Sequence, residues 1–170
     1  MATFTTRLLA AAALALAMLA PAASAAEPSV IYVVRHGEKT GNDGDPDLTA
    51  KGRIRAANIA TMLKHTGIRR IYTSKTARTR QTAAPAAALL GLPVSEYDAR
   101  QPEEMVEQLR LAGGNALVVG HSNTVGKLVS LLGGQPGSAI GDDEYDRLYQ
   151  LVRGHDGSVT TILLSSPPAH

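Results

Sequence analysis

Cysteine and tryptophan are absent from the 170 residues, and one phenylalanine and five tyrosines make up the remaining aromatic content. Without cysteine there is no disulfide and no thiol to carry a lipid, so stability has to come from a packed core. An excess of charge is missing too. Seventeen Lys and Arg face fifteen Asp and Glu, and the basic residues are dispersed along the chain. With few aromatics to stack on bases and no basic stripe, nucleic acid is not an expected partner. Any anionic ligand must be selected by local charge.

The apolar run Leu8 to Ala20 holds thirteen residues, short of the roughly 20 that span a bilayer. Arg7 precedes it, Pro21 breaks it, and Ala23-Ser24-Ala25 offers small residues for cleavage. This pattern predicts an export signal over residues 1–25 and a single mature domain over 26–170, periplasmic or secreted, with no stable membrane insertion after cleavage. Removing Arg7 leaves sixteen basic against fifteen acidic side chains. The mature length suits one hydrophobic core and leaves no room for large lids.

Five β-branched or aromatic residues, Val30 to Val34, read as a strand buried on both faces that stops at Arg35-His36-Gly37. A Gly- and Asp-rich loop, Thr40 to Asp47, follows and is expected to be flexible and exposed. Thr49 can cap a helix whose buried face carries Ile54, Ala57, Ile59, Met62 and Leu63, with Gly67 ending it. Arg69 to Thr73 reads as a second strand and Ser74 as the cap of a second helix, which Pro85 should kink or divide. Pro93 to Tyr97 reads as a third strand, and Pro102 to Ala112 as a third helix with Glu103, Glu104 and Glu107 toward its positive end. Asn115 to Val119 is a fourth strand. The helix after it has Val125, Leu128, Val129 and Leu132 on one face and stops at Gly133-Gly134. Arg147 to Val152 and Ser158 to Leu164, separated by one tight turn, form an antiparallel hairpin. The expected fold is a single α/β domain of three layers, a mostly parallel sheet with an antiparallel C-terminal hairpin and helices on both faces.

The chain repeats one feature: Val33-Val34-Arg35-His36-Gly37 early and Val118-Val119-Gly120-His121-Ser122 late, a histidine at the carboxyl end of a short apolar strand each time. Parallel neighbouring strands about 4.8 Å apart would put His36 and His121 side by side. The turn after the second strand would bring Arg78 to the same rim, where open α/β sheets bind ligands. Two arginine forks, two imidazoles and the free N–H groups of helix starts suit a phosphoryl group.

These residues resemble the histidine phosphatase superfamily, in its phosphoglycerate-mutase-like branch. The likeness rests on Arg35-His36-Gly37-Glu38, on Leu48-Thr49-Ala50-Lys51-Gly52, on Thr73-Ser74 with Arg78-Thr79 and Thr82, and on Gly120-His121-Ser122. It implies that His36 is the nucleophile, that Arg35, Arg78 and His121 hold the phosphoryl oxygens, and that Asn42 lies near the phosphate. It implies a phosphomonoester hydrolase that needs neither metal nor cofactor and acts on a small phosphorylated substrate or a phosphate on a larger molecule. Two alternatives stay open, a phosphoglycerate-mutase-type phosphotransferase and a non-catalytic phosphate-binding module. A mutase has to keep water from its intermediate, which calls for lids that this length does not supply. The family's glutamate, carried in an insertion between the third strand and third helix, has no counterpart in the short stretch Asp98 to Glu103. The general acid is therefore open among Glu38, Glu103, Glu104 and Glu144, with Asp142, Asp143 and Asp146 beside the last. A good leaving group would need no acid at all.

Overall fold

The computed structural model describes residues 28–169. The expected export signal lies outside them. The elements run β1 (Ser29–Arg35), α1 (Ala50–Leu63), β2 (Ile68–Ser74), α2 (Ala77–Leu90), β3 (Val94–Tyr97), α3 (Glu103–Ala112), β4 (Asn115–Gly120), α4 (Ser122–Leu131), β5 (Arg147–Arg153) and β6 (Val159–Ser165). They form one six-stranded sheet in the order β3-β2-β4-β1-β5-β6. β1 to β4 are parallel, while β5 runs antiparallel to both β1 and β6. No helix among the described residues is long and apolar enough to cross a membrane.

The alternation of β1 explains the two cores. Val33 belongs to the cluster that holds Met105, Leu109, Val125 and Leu128 of α3 and α4. Its neighbour Val34 belongs to the opposite cluster, with Ile59 and Leu63 of α1 and Ala83 and Ala86 of α2. Successive side chains of a strand point to opposite faces, so a central strand covered by helices on both sides must be apolar throughout.

Register then places the rim. β1 and β4 pair in parallel with Arg35 opposite Gly120, and the His36 N–H donates to the Gly120 carbonyl at 2.9 Å. The ladder thus extends one residue past β1, and His36 and His121 emerge together. Two glycines make the next turn possible. A Cβ on Gly37 would lie 2.7 Å from the Gly52 carbonyl oxygen, and one on Gly52 would lie 2.3 Å from that of Glu38. The start of α1 therefore packs directly on the backbone after the histidine, which only glycine allows.

Several local expectations change. Ile54 is 39 % exposed and Ala57 is also exposed, while Arg55 and Ala56 are buried instead, so α1 is rotated relative to the apolar pattern. Lys64 is the C-cap of α1 and Gly67, with φ +69°, lies in the turn beyond. The helix α2 runs from Ala77 to Leu90 without a break at Pro85. Its N-cap is Thr76, because Ser74 is still in β2 and its hydroxyl is engaged elsewhere. Pro102 is the N-cap of α3 rather than its first residue. The loop after β1 is tied at both ends: Lys39 and Leu48 form an isolated bridge, Thr40 N–H donates to the Asp47 carbonyl, and Gln81 bonds Asp47 and the Leu48 N–H. The loop is exposed as expected, with Pro46 half-buried, while Asp45 and Asp47 bond to residues of α2.

Candidate active site

The carboxyl rim of β1, β2, β3 and β4 and the loop leading into β5 enclose a cavity of about 590 Å³. Arg35, His36, Arg78 and His121 all line it, so the residues expected to share a site do share one. The imidazole centroids of His36 and His121 are 5.3 Å apart.

His36 is 3 % exposed, and its Nδ1 lies 2.7 Å from the Gly37 carbonyl oxygen. A carbonyl only accepts, so Nδ1 carries the proton and Nε2 is the free base. Burial pushes the ring's pKa down to about 3; the Gly37 hydrogen bond opposes this, while His121, Arg78 and Arg35 reinforce it. His121 is pushed down to about 4, first by burial and then by Arg78 and Arg35. Its Nδ1 accepts from the Arg78 guanidinium at 3.4 Å, which leaves the proton on Nε2 to be donated to Ser74 Oγ at 2.7 Å. Ser74 in turn meets Thr79 Oγ1 at 3.1 Å, so Ser74 at the end of β2, held by Thr79 of α2, orients the second histidine. Both rings are neutral near pH 7.

Arg35 is 4 % exposed. One of its terminal nitrogens donates to the carbonyls of Gly141, Asp142 and Glu144 at 2.8–2.9 Å, and its guanidinium carbon sits 3.9 Å from the ring centre of Tyr145. Arg78 meets Asp45 at 3.4 Å, and Asp45 also accepts the N–H of Ala77 at the start of α2. That helix start is therefore occupied, whereas the first residues of α4, Ser122 to Thr124, line the cavity. The Nε atoms of Arg35 and Arg78 are buried and have no hydrogen-bond partner among the described residues. Buried unpaired donors are costly, and oxygens of a tetrahedral anion would satisfy them. The arrangement can bind a phosphoryl group and present a neutral imidazole nitrogen to it.

Asn42 lines the cavity from its exposed edge, where its Oδ1 accepts from Lys39. The four glutamates expected as acids do not line it. Glu38 is gripped by Arg55, with contacts of 2.7–3.2 Å. Burial raises its pKa, but the Arg55 hydrogen bonds outweigh this and hold the carboxyl below its ordinary value. Glu103 pairs with Lys127 at 2.7 Å, Glu104 faces a separate groove beside Tyr72 and Lys75, and Glu144 is paired with Arg147. The carboxylates that do line the cavity among the described residues are Asp142 and Asp143.

Sequence reasoning missed Lys39, Arg100 and Tyr145 on the cavity wall and the buried Arg55. Arg55 had a signal, four places after Lys51 on an otherwise apolar helix face, but an arginine there reads as solvated. Tyr145, amid four acidic residues, had none.

The carboxyl rim of the sheet thus gathers two histidines and two arginines whose Nε atoms are unpaired among the described residues, a donor set that suits a tetrahedral anion. The family model of the histidine phosphatase superfamily (branch 1) matches residues 31–101, which contain most of β1, the Gly37–Gly52 contact and the Arg78 turn. Over that stretch, which is less than half of the chain, the sequence is similar to the histidine phosphatase superfamily. The protein named "Probable phosphoglycerate mutase GpmB" of Escherichia coli (strain K12 / DH10B) is 39 % identical over 80 residues, which cover 43 % of this chain but only 37 % of that relative. Solved structures extend the similarity in fold. A mycobacterial glucosyl-3-phosphoglycerate phosphatase with inorganic phosphate aligns at TM-score 0.66 and 18 % identity, covering 83 % of this chain and 98 % of its own. The protein histidine phosphatase SixA with tungstate aligns at TM-score 0.64 and 22 % identity, covering 81 % and 97 %.

Proposed function

We propose that the protein is an exported phosphatase that hydrolyses a phosphomonoester or similar phosphoryl group through a phosphohistidine on His36. The observation that carries this reading is the hydrogen bond from His36 Nδ1–H to the Gly37 carbonyl at 2.7 Å. It leaves Nε2 unprotonated and directs it away from its own backbone. Nε2 attacks phosphorus, the P–O bond to the leaving group breaks, and water then attacks the phosphohistidine. Arg35, Arg78 and His121 stabilise charge on the equatorial oxygens, the main task in phosphoryl transfer. His121 can donate to such an oxygen from Nε2, at the expense of its bond to Ser74.

Hydrolysis is favoured over transfer between substrates because the cavity edge is exposed at Asn42, Arg100, Asp142 and Asp143, so water reaches the intermediate. The mutase reading is supported by the name of the Escherichia coli relative. Export is supported by the apolar run Leu8 to Ala20 and the small residues at Ala23-Ser24-Ala25. The test is a panel of phosphomonoesters incubated with the mature protein. Release of inorganic phosphate that disappears in His36→Ala supports the phosphatase. Efficient exchange of phosphate between positions of one substrate would favour the mutase. Phosphate binding without turnover would leave a binding module. A mature N-terminus inside the apolar run, or an uncleaved one, would refute the export signal as drawn.

A further inference from the structure

The reaction proposed above needs a proton for the leaving oxygen, and the four glutamates that could have supplied it lie outside the cavity. What the structure provides instead is a loop held by the phosphoryl-binding arginine itself. Arg35 donates to the carbonyls of Gly141, Asp142 and Glu144 and lies against the Tyr145 ring. Its Nε is buried and unpartnered among the described residues. One guanidinium therefore faces the anion site and fixes the backbone of residues 141–145 beside it. Asp142 and Asp143 line the cavity, and neither carboxylate makes a hydrogen bond or ion pair with the described residues. Glu144, next along, is by contrast held by Arg147.

We propose that this latched loop supplies the general acid, through the carboxyl of Asp142 or Asp143. The proposal rests on the phosphatase reading of the same site. In the first step the carboxyl proton passes to the leaving alkoxide oxygen as the P–O bond breaks and the N–P bond to His36 Nε2 forms. In the second step the resulting carboxylate takes a proton from the water whose oxygen bonds to phosphorus, and the Nε2–P bond breaks to return the free imidazole of His36. The carboxyl group is then regenerated, and inorganic phosphate leaves.

Leaving-group dependence separates this role from a structural one. Asp→Asn keeps the shape, and Arg35 holds this loop through backbone carbonyls, which the substitution leaves in place. The mature protein and its Asp142→Asn, Asp143→Asn and doubly substituted forms are assayed on 4-nitrophenyl phosphate, whose leaving group needs little protonation, and on butyl phosphate, whose alkoxide needs it. General acids contribute on the order of 100-fold or more. In at least one variant, kcat/KM for butyl phosphate should fall about 100-fold further than for the nitrophenyl ester. Equal changes for both esters in all three variants, or a wild-type protein that cleaves the aryl ester and not the alkyl one, would overturn the proposal. Absence of His36-dependent hydrolysis of either ester would overturn the phosphatase reading, and the acid with it.

Discussion

Acidification should destabilise the fold through His36, the nucleophile of the proposed reaction. His36 titrates near 6.5 when exposed, as in the unfolded chain, but burial first, then the nearby His121, Arg78 and Arg35, push it down to about 3 in the folded protein. The unfolded state therefore binds a proton that the folded state refuses, and stability falls as pH drops from about 6.5 toward 3. At pH 5 the unfolded chain gains about 1.5 pKa units of protonation at this site, worth roughly 2 kcal/mol at about 1.36 kcal/mol per unit. Near pH 7 the contribution is close to zero. Urea denaturation of the wild type and His36→Asn at pH 7 and pH 5, without phosphate, isolates the effect. The wild type should lose about 2 kcal/mol more than the variant on that step. An equal loss in both proteins would refute the reasoning, since it would mean that His36 is protonated in the folded state as readily as in the unfolded one.

Two further outcomes follow from the surroundings of the site. Arg55→Ala removes the partner of Glu38, whose side chain is only 14 % exposed, and the contact to Ser166 Oγ. Stranding a carboxylate there should cost about 3 kcal/mol, read as a lower urea midpoint. Gly52→Ala places a Cβ where Glu38 O lies 2.3 Å away, so the protein should lose on the order of 2 kcal/mol or more and, because the contact is to the backbone beside His36, turnover as well. A variant as stable and active as the wild type would contradict the close approach of α1 to that turn.

Much of this arrangement was legible in the chain, for physical reasons that can be named. β1 and β4 could be read because strands covered on both faces must be apolar throughout, and each ends in a histidine. That Arg35, His36, Arg78 and His121 share a rim followed from the parallel topology alone. Helix rotation was harder: Ile54 is exposed and Arg55 buried because a carboxylate, Glu38, waits beneath α1 and out-competes an apolar neighbour for the inward position. Ser74 reads as a cap from its residue type, yet its hydroxyl serves His121, a residue 47 positions away. Long-range polar partnerships of that kind leave no local period. The same holds for Tyr145, which reaches the site only because Arg35 draws the backbone of Gly141 to Glu144 against it.

Trapping the covalent intermediate is the most direct measure of the central claim. Mature protein mixed rapidly with a phosphomonoester labelled in the phosphoryl group, then quenched in alkali, should carry one acid-labile label per molecule. Peptide mapping should find it on His36, and His36→Ala should carry none. Turnover without any trapped label, or a label on another residue that survives in His36→Ala, would contradict the account.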